Sequence, residues 1–380
     1  MQRLRALPLF AGLIAALVVL IFRLTIYSQD IKILEIDHEN APLTASNTFD
    51  SGVYYNGFYW NNLQITVEHC NKIITGDEKS DWMDQLLLYK GGKPFKNALI
   101  VGAGNGWVER ELFVKGVVRK GVGIDFMQDF VDEANKIAKK ETLPFTYFQH
   151  DVNKREPMPE GPFDLIINHA AAHHFGHIDF AYREMARVLQ KPDGVYAHMD
   201  FVGPHRNQYN SRTWHIIQKE NDKLPQEIRQ ELYYADIATM LVNDPSEAQH
   251  SEMIMETLRR YFYIEKIRPY GGAIAYPILT HNERITKMCL QDSLRCDNGV
   301  EKHKHEIQAL LDADYQWMLE DPEGRSLFSF VIAKPLGNEG VPKRWYLKLL
   351  EEHEKKREAL GTKQEYYEKI GHVDDYAKHP

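Results

Sequence analysis

The chain has 380 residues, a formal net charge of -8 and 26% charged residues, long enough for one catalytic domain with additions and too mildly acidic for a basic nucleic-acid footprint. Its three cysteines, Cys70, Cys289 and Cys296, exclude a disulfide framework, and no C-x-x-C pair offers a zinc site; at most Cys289 and Cys296 pair. There is no internal repeat and no Lys/Arg stripe interleaved with aromatics, so nucleic acid is not an expected partner.

From Ala6 to Phe22 no residue is charged, and the apolar run continues past Arg23 to Tyr27. With Arg23 snorkelling to the interface, the run approaches the roughly 20 residues a bilayer requires. It exceeds the roughly 7–15 apolar residues of a signal peptide and lacks a small-x-small cleavage site, so residues 1–28 read as a retained single-pass signal-anchor. Arg3 and Arg5 precede the span, whereas Asp30, Glu35, Asp37 and Glu39 follow it, which places the amino terminus in the cytosol. The expected topology is type II, with the rest of the chain lumenal (ER or Golgi) or exterior. Residues 29–94 then form a helical region, with an aromatic cluster from Tyr54 to Trp60 and an amphipathic stretch from Leu63 to Leu88.

Next comes Leu99-Ile100-Val101-Gly102-Ala103-Gly104-Asn105-Gly106, an apolar strand running into three glycines and a helical pattern. Glycines here let the backbone approach a nucleotide closely. The strand Gly121–Asp125 ends in a carboxylate about 20 residues beyond the glycines, placed to accept ribose hydroxyls. A helix over Phe126–Lys140 leads to a strand over Phe145–Asp151, then a buried strand over Phe163–Asn168, a helix over Tyr182–Leu189, a turn at Lys191–Gly194 and a strand over Val195–Asp200. Strands alternating with helices imply an α/β, doubly wound, mostly parallel sheet. Tyr261–Ile267 and Leu327–Ala333 read as closing strands, Glu301–Glu320 as an extra helix, and residues 336–380 as a charged tail, helical from Lys343 to Leu360 and solvated.

The G-x-G-x-G spacing, with Trp107 where a dinucleotide fingerprint needs its third glycine, and the segments that follow through residue 203 resemble the class I S-adenosylmethionine-dependent methyltransferases. That resemblance implies a seven-stranded sheet over residues 95–335 and S-adenosyl-L-methionine as cofactor. Its binding residues are then Gly102, Ala103, Gly104, Gly106, Asp125, Phe126, Asp151, Val152 and Asn168, with Asp151 in the place of the family's adenine-contacting acid. It further gives the preceding segment a lid role, with Tyr59 or Trp60 facing the sulfonium cation. Asp200 to Tyr209, Leu224-Pro225, Asn243 to Ala248 and Arg268 to Gly272 extend the resemblance to a subgroup found with bacterial surface-glycan and secondary-metabolite genes.

Two segments carry the expected chemistry. His169, His173, His174 and His177 cluster at the end of the fourth strand. With no acidic residue among them, no metal is expected, and His173 or His174 is the general-base candidate. Residues 203–252 form an insertion able to build an acceptor pocket, in which His205 and Arg206, together with Tyr270 downstream, are expected to contact substrate. Within it Asp244-Pro245-Ser246 reads as a helix cap. The expected activity is a membrane-anchored methyltransferase acting on oxygen, with a sugar, glycan or other hydroxylated small molecule as acceptor. The alternatives are a methyltransferase acting on a lipid or amphipathic acceptor from the cytosolic face, and a cofactor-binding scaffold without catalysis. Cytosolic supply of the cofactor weighs for the cytosolic face. Protein partners are left open by the sequence.

Overall fold

In a computed structural model of the protein, residues 58–289 and 300–336 are described. The anchor, Tyr54–Gly57 of the aromatic cluster, Cys296 and the Lys343–Leu360 helix lie outside them. Among the described residues no helix is long and apolar enough to cross a membrane.

The central strands are apolar on both faces and therefore sit between two layers of helices. All four residues of β1 (Ala98–Val101) are buried, as are the first four of β4 (Leu165–His169). Their side chains alternate between two cores: Ile100, Leu165 and Ile167 enter one, Leu99, Val101 and Ile166 the other. With β2 (Gly121–Asp125), β3 (Phe145–Gln149), β5 (Val195–Phe201), β6 (Phe262–Pro269) and β7 (Phe328–Pro335) they make a seven-stranded sheet of order β3-β2-β1-β4-β5-β7-β6. β1 to β5 pair parallel, while β7 runs antiparallel between β5 and β6. The order reverses between β1 and β4, and a ligand crevice opens beyond the carboxyl ends of such strands. Asp164 locks the opposite end, accepting the Lys96 and Asn97 backbone N–H groups at 2.8 Å each.

Helices α1 (Gln64–Thr75) and α2 (Trp82–Tyr89) occupy the expected amphipathic stretch and part at the capping box of Asp81 and Asp84. Helices α3 (Trp107–Val114), α4 (Gln128–Glu141) and α5 (Ile178–Val188) are the crossovers. α5 starts four residues before the expected Tyr182, since Ile178 and Ala181 are also buried against the sheet. The insertion carries α6 (Ser211–Asp222) and α7 (Ile237–Asn243); α8 (Ile254–Tyr261) leads into β6, and α9 (Ala275–Leu279), α10 (Glu283–Met288) and α11 (Lys304–Leu319) precede β7.

The expected helix cap at Asp244 is absent. Asp244 ends α7, and its Oδ1 accepts the Ser246 backbone N–H at 2.9 Å and the Ser246 hydroxyl at 2.6 Å, closing a turn where a helix start was expected. Cys70 is a free buried thiol and Cys289 is disulfide-bonded.

Candidate active site

One cavity of about 1880 Å³ opens at the crevice. That exceeds the roughly 300–1,000 Å³ usual for one small ligand and leaves room for cofactor and acceptor together.

Its cofactor end is built largely from backbone. Gly102, Gly104 and Gly106 all have positive φ, at 77°, 54° and 76°, a conformation that costs glycine nothing. A Cβ on Gly102 would come within 2.3 Å of the Ala171 Cβ, and one on Gly106 within 2.6 Å of the Tyr147 hydroxyl, so both positions are closed to other residues. Asp125 at the end of β2 accepts the Gly104 N–H at 2.8 Å and the Met127 N–H at 3.0 Å. The carboxylate lines the cavity. Burial pushes the Asp125 carboxyl up, while these backbone donors work against the shift. Asp151 also lines the cavity and caps the turn that follows it by accepting the Asn153 N–H at 2.9 Å. This open-walled cradle with two acids fits S-adenosylmethionine. Of the expected binding residues Gly102, Ala103, Gly104, Asp125, Phe126, Asp151 and Val152 line the cavity, whereas Gly106 and Asn168 do not. Gly106 packs over Tyr147. Asn168 is fully buried, donating to the Val101 carbonyl at 3.1 Å and accepting from the Tyr196 hydroxyl at 3.0 Å.

Beneath the glycine turn Glu109 is fully buried, with neither carboxylate oxygen hydrogen-bonded. Burial pushes its pKa up to about 8. It stands on the first turn of α3, where helix starts favour acids, and only the packing against the sheet reveals its isolation.

The other end is built from side chains. Asp200, 1% exposed at the end of β5, accepts the backbone N–H groups of Ala171 and Ala172 at 2.9 and 2.8 Å, and the His173 Nδ1–H at 2.6 Å. Burial alone would lower the His173 pKa, but the charge and hydrogen bond of Asp200, with Glu247 and Asp244 beyond, hold it at about 9. Burial likewise favours a protonated Asp200, yet His173 draws its pKa down to about 2. His173 is thus already protonated at neutral pH and takes no further proton. His174 differs: burial and the neighbouring His173 charge lower its pKa. The Ser246 hydroxyl spends its proton on Asp244, which leaves Ser246 Oγ to accept from His174 Nδ1 at 3.0 Å. Glu247 Oε2 lies 3.7 Å from the Nε2 of each histidine.

His169 is set apart, stacked on Trp82 at 5.5 Å between centroids and edge-on to Trp107; burial lowers its pKa to about 4. His177 sits against Arg155.

The expected acceptor residues divide. Tyr270 lines the cavity, stacked on Phe328, which also stacks on Trp60. Tyr59 and Trp60 line it too, Trp60 buried on Tyr276. Arg206 and His205 do not reach it. The Arg206 guanidinium is buried and donates to the Asp244, Pro245 and Glu247 carbonyls, and His205 Nδ1 contacts the Gln249 carbonyl at 2.6 Å. Both hold the insertion's turn in place of an acceptor. Asp200 and Glu247, the two acids that govern the histidines, were assigned no role from the sequence; Asp200 was signalled by its place at the carboxyl end of a strand, Glu247 by nothing local.

Residues 99–197 match the methyltransferase domain family. The uncharacterized methyltransferase YcgJ of Bacillus subtilis (strain 168) is 34% identical over 106 residues, 28% of this chain and 41% of that protein. The mitochondrial arginine-hydroxylase NDUFAF5 of Rattus norvegicus is 28% identical over 116 residues, 30% of this chain and 32% of that protein. The chain therefore spans less than half the length of these two relatives. Among solved structures, an S-adenosylmethionine-dependent methyltransferase from Mesorhizobium loti aligns with a TM-score of 0.38 and 15% identity, over 64% of this chain and 91% of that one.

Proposed function

We propose, from the premise that residues 99–197 are a class I S-adenosylmethionine-dependent methyltransferase domain, that the whole chain transfers a methyl group from that cofactor to a hydroxyl of a sugar, glycan or other small molecule. The observation that carries this reading is the single cavity shared by the glycine cradle and the histidine pair. Gly102, Gly104 and Asp125 hold the cofactor's methionine and ribose; bound there, the cofactor supplies an activated methyl group and its own leaving group. What remains for the protein is alignment, worth up to ~7–11 kcal/mol, and proton removal, worth ~10²–10⁴ in rate. His174, whose pKa burial and the His173 charge lower, receives the acceptor proton, while the His173–Asp200 pair fixes the chain around it. Such a proton acceptor favours a hydroxyl. The aromatic wall of Trp60, Tyr270 and Phe328 gives the acceptor a flat surface to pack on.

The uncharged run from Ala6 to Phe22 supports a membrane anchor. The disulfide at Cys289 supports a lumenal or exterior catalytic domain, because disulfides persist in oxidising compartments.

Calorimetric titration with S-adenosylmethionine, followed by labelled-methyl transfer to a panel of hydroxylated acceptors, tests the reading. Asp125→Ala is expected to weaken cofactor binding by ~10²-fold, since charged hydrogen bonds contribute about 1.5–3 kcal/mol each. His174→Ala is expected to cut kcat by ~10² with cofactor affinity intact. Cofactor binding unaltered in Asp125→Ala would overturn the assignment.

A further inference from the structure

His173, His174 and Glu247 form a constellation that proton transfer alone does not require. The two imidazoles are adjacent in sequence, with ring centroids 4.1 Å apart. Their Nδ1 atoms are each committed outward, His173 to Asp200 at 2.6 Å and His174 to Ser246 at 3.0 Å, with Ser246 in turn held by Asp244 at 2.6 Å. Their Nε2 atoms converge on one carboxylate oxygen, Glu247 Oε2, 3.7 Å from each. The three donor atoms lie within 4.8 Å of one another. Metal–nitrogen and metal–oxygen bonds of ~2.0–2.2 Å at near-tetrahedral angles put neighbouring ligand atoms about 3.3–3.6 Å apart, close to the 3.7 Å that separates each Nε2 from Glu247 Oε2. Holding a histidine's outer nitrogen with a carboxylate or hydroxyl is how proteins orient metal-binding imidazoles and set their tautomer. Here both histidines have that support.

We propose that His173 Nε2, His174 Nε2 and Glu247 form a binding site for one divalent transition-metal cation of the zinc type, which takes the place of the proton that His173 otherwise carries at Nε2 and keeps its remaining coordination position open to the cavity. Two imidazoles and a carboxylate are a borderline donor set that suits zinc, cobalt or iron better than magnesium or calcium. All three ligands line the cavity that contains the glycine cradle, so the open position faces the acceptor's space. For its role in catalysis the site rests on the methyl-transfer reading: a cation there would act as a Lewis acid on the acceptor hydroxyl, lowering its pKa so that its proton leaves to water, in place of transfer to His174. As a binding site it stands on the geometry alone. The site also explains the build of the insertion, because the Arg206 guanidinium clamps the Asp244–Glu247 turn that carries the carboxylate.

The test is calorimetric titration of the full chain, stripped with chelator, with Zn2+, and visible absorption on loading with Co2+, whose intense d–d bands report a four- or five-coordinate site. One equivalent of Zn2+ is expected. Glu247→Gln and His174→Gln are each expected to weaken it by 100-fold or more. Ser246→Ala leaves all three ligands in place and, as the loss of an outer partner, is expected to weaken it ~10–100-fold. Zn2+ binding unaltered in Glu247→Gln and Ser246→Ala, or no stoichiometric binding to the wild-type chain, overturns the proposal. S-adenosylmethionine is titrated into the same metal-free samples. Cofactor binding without zinc binding overturns the metal site alone, whereas zinc binding without cofactor binding overturns the methyltransferase reading and leaves the site standing.

Discussion

The two ends of the cavity are built on different principles. At the cofactor end the ligand-facing surface is mainly backbone: the left-handed glycines Gly102 and Gly104 between β1 and α3, the second held by Asp125 from the next strand. At the acceptor end it is side chains, His173 and His174 from beyond β4 held by Asp200 on β5, and by Ser246 and Glu247 from the insertion. A backbone cradle needs only small residues and a strand end, so it sits within one contiguous stretch of sequence. A side-chain cluster can draw its members from anywhere that the fold brings together.

The comparison predicts that the acceptor end depends heavily on one carboxylate. Asp200 is the buried partner of a protonated His173 and accepts backbone N–H groups from Ala171, Ala172 and Phe201. Asp200→Ala leaves a buried charge unpaired and three donors unmatched, and is expected to cost about 3–5 kcal/mol in urea unfolding. A loss below about 1 kcal/mol, the size of an ordinary surface effect, would mean that the cluster is held by something other than Asp200.

This division also explains how far the sequence was readable. Gly102 to Gly106, the β2 strand from Gly121 to Asp125 and the apolar runs of β1, β4 and β5 are each contiguous in the chain, and local pattern sufficed for each. Burial of α5 over one more turn moved its start, because periodicity marks a face better than an end. The acceptor end resisted for a physical reason. The acid missing from the histidine cluster at 169–177 comes from Glu247, and no local spacing announces a contact across that separation. Arg206 misled in the same way: a cation in a polar loop suggests a ligand contact, yet its guanidinium satisfies carbonyls that the tight turn at 244–247 leaves without helix partners.

A second prediction probes the cofactor end, where Glu109 is a buried acid without a hydrogen-bond partner for either oxygen. Its carboxyl titrates near pH 4.5 when unfolded and near 8 in the fold. A raised folded pKa means that the stability contribution is full below about pH 4.5 and is lost as pH rises toward 8. Integrated from pH 5 to 8, the loss is roughly 3–4 kcal/mol at 1.36 kcal/mol per unit. Glu109→Gln removes this titration, so the stability difference between variant and wild type should grow in the variant's favour by that amount over the interval, as read by denaturant unfolding at each pH. Parallel pH curves would show that Glu109 reaches water from beneath the glycine turn.

The smallest expected effect separates a wall from a ligand contact. Were Arg206 to bind acceptor, Arg206→Met would raise the acceptor KM and leave stability alone. The structure gives its guanidinium to three carbonyls of the turn that carries Ser246 and Glu247, with the residue 7% exposed. Losing those donors strands buried carbonyls, and the expected cost is about 1–3 kcal/mol of stability. Because the same turn presents Glu247 to the histidines, the acceptor KM should rise as well, while S-adenosylmethionine affinity stays unchanged, since Gly102 to Gly106 and Asp125 are held by other partners. The stability readout is the discriminating one. A variant with wild-type unfolding and a raised KM would return Arg206 to the acceptor and shift the boundary between the two ends of the cavity; reduced stability together with unchanged cofactor affinity places the residue in the wall.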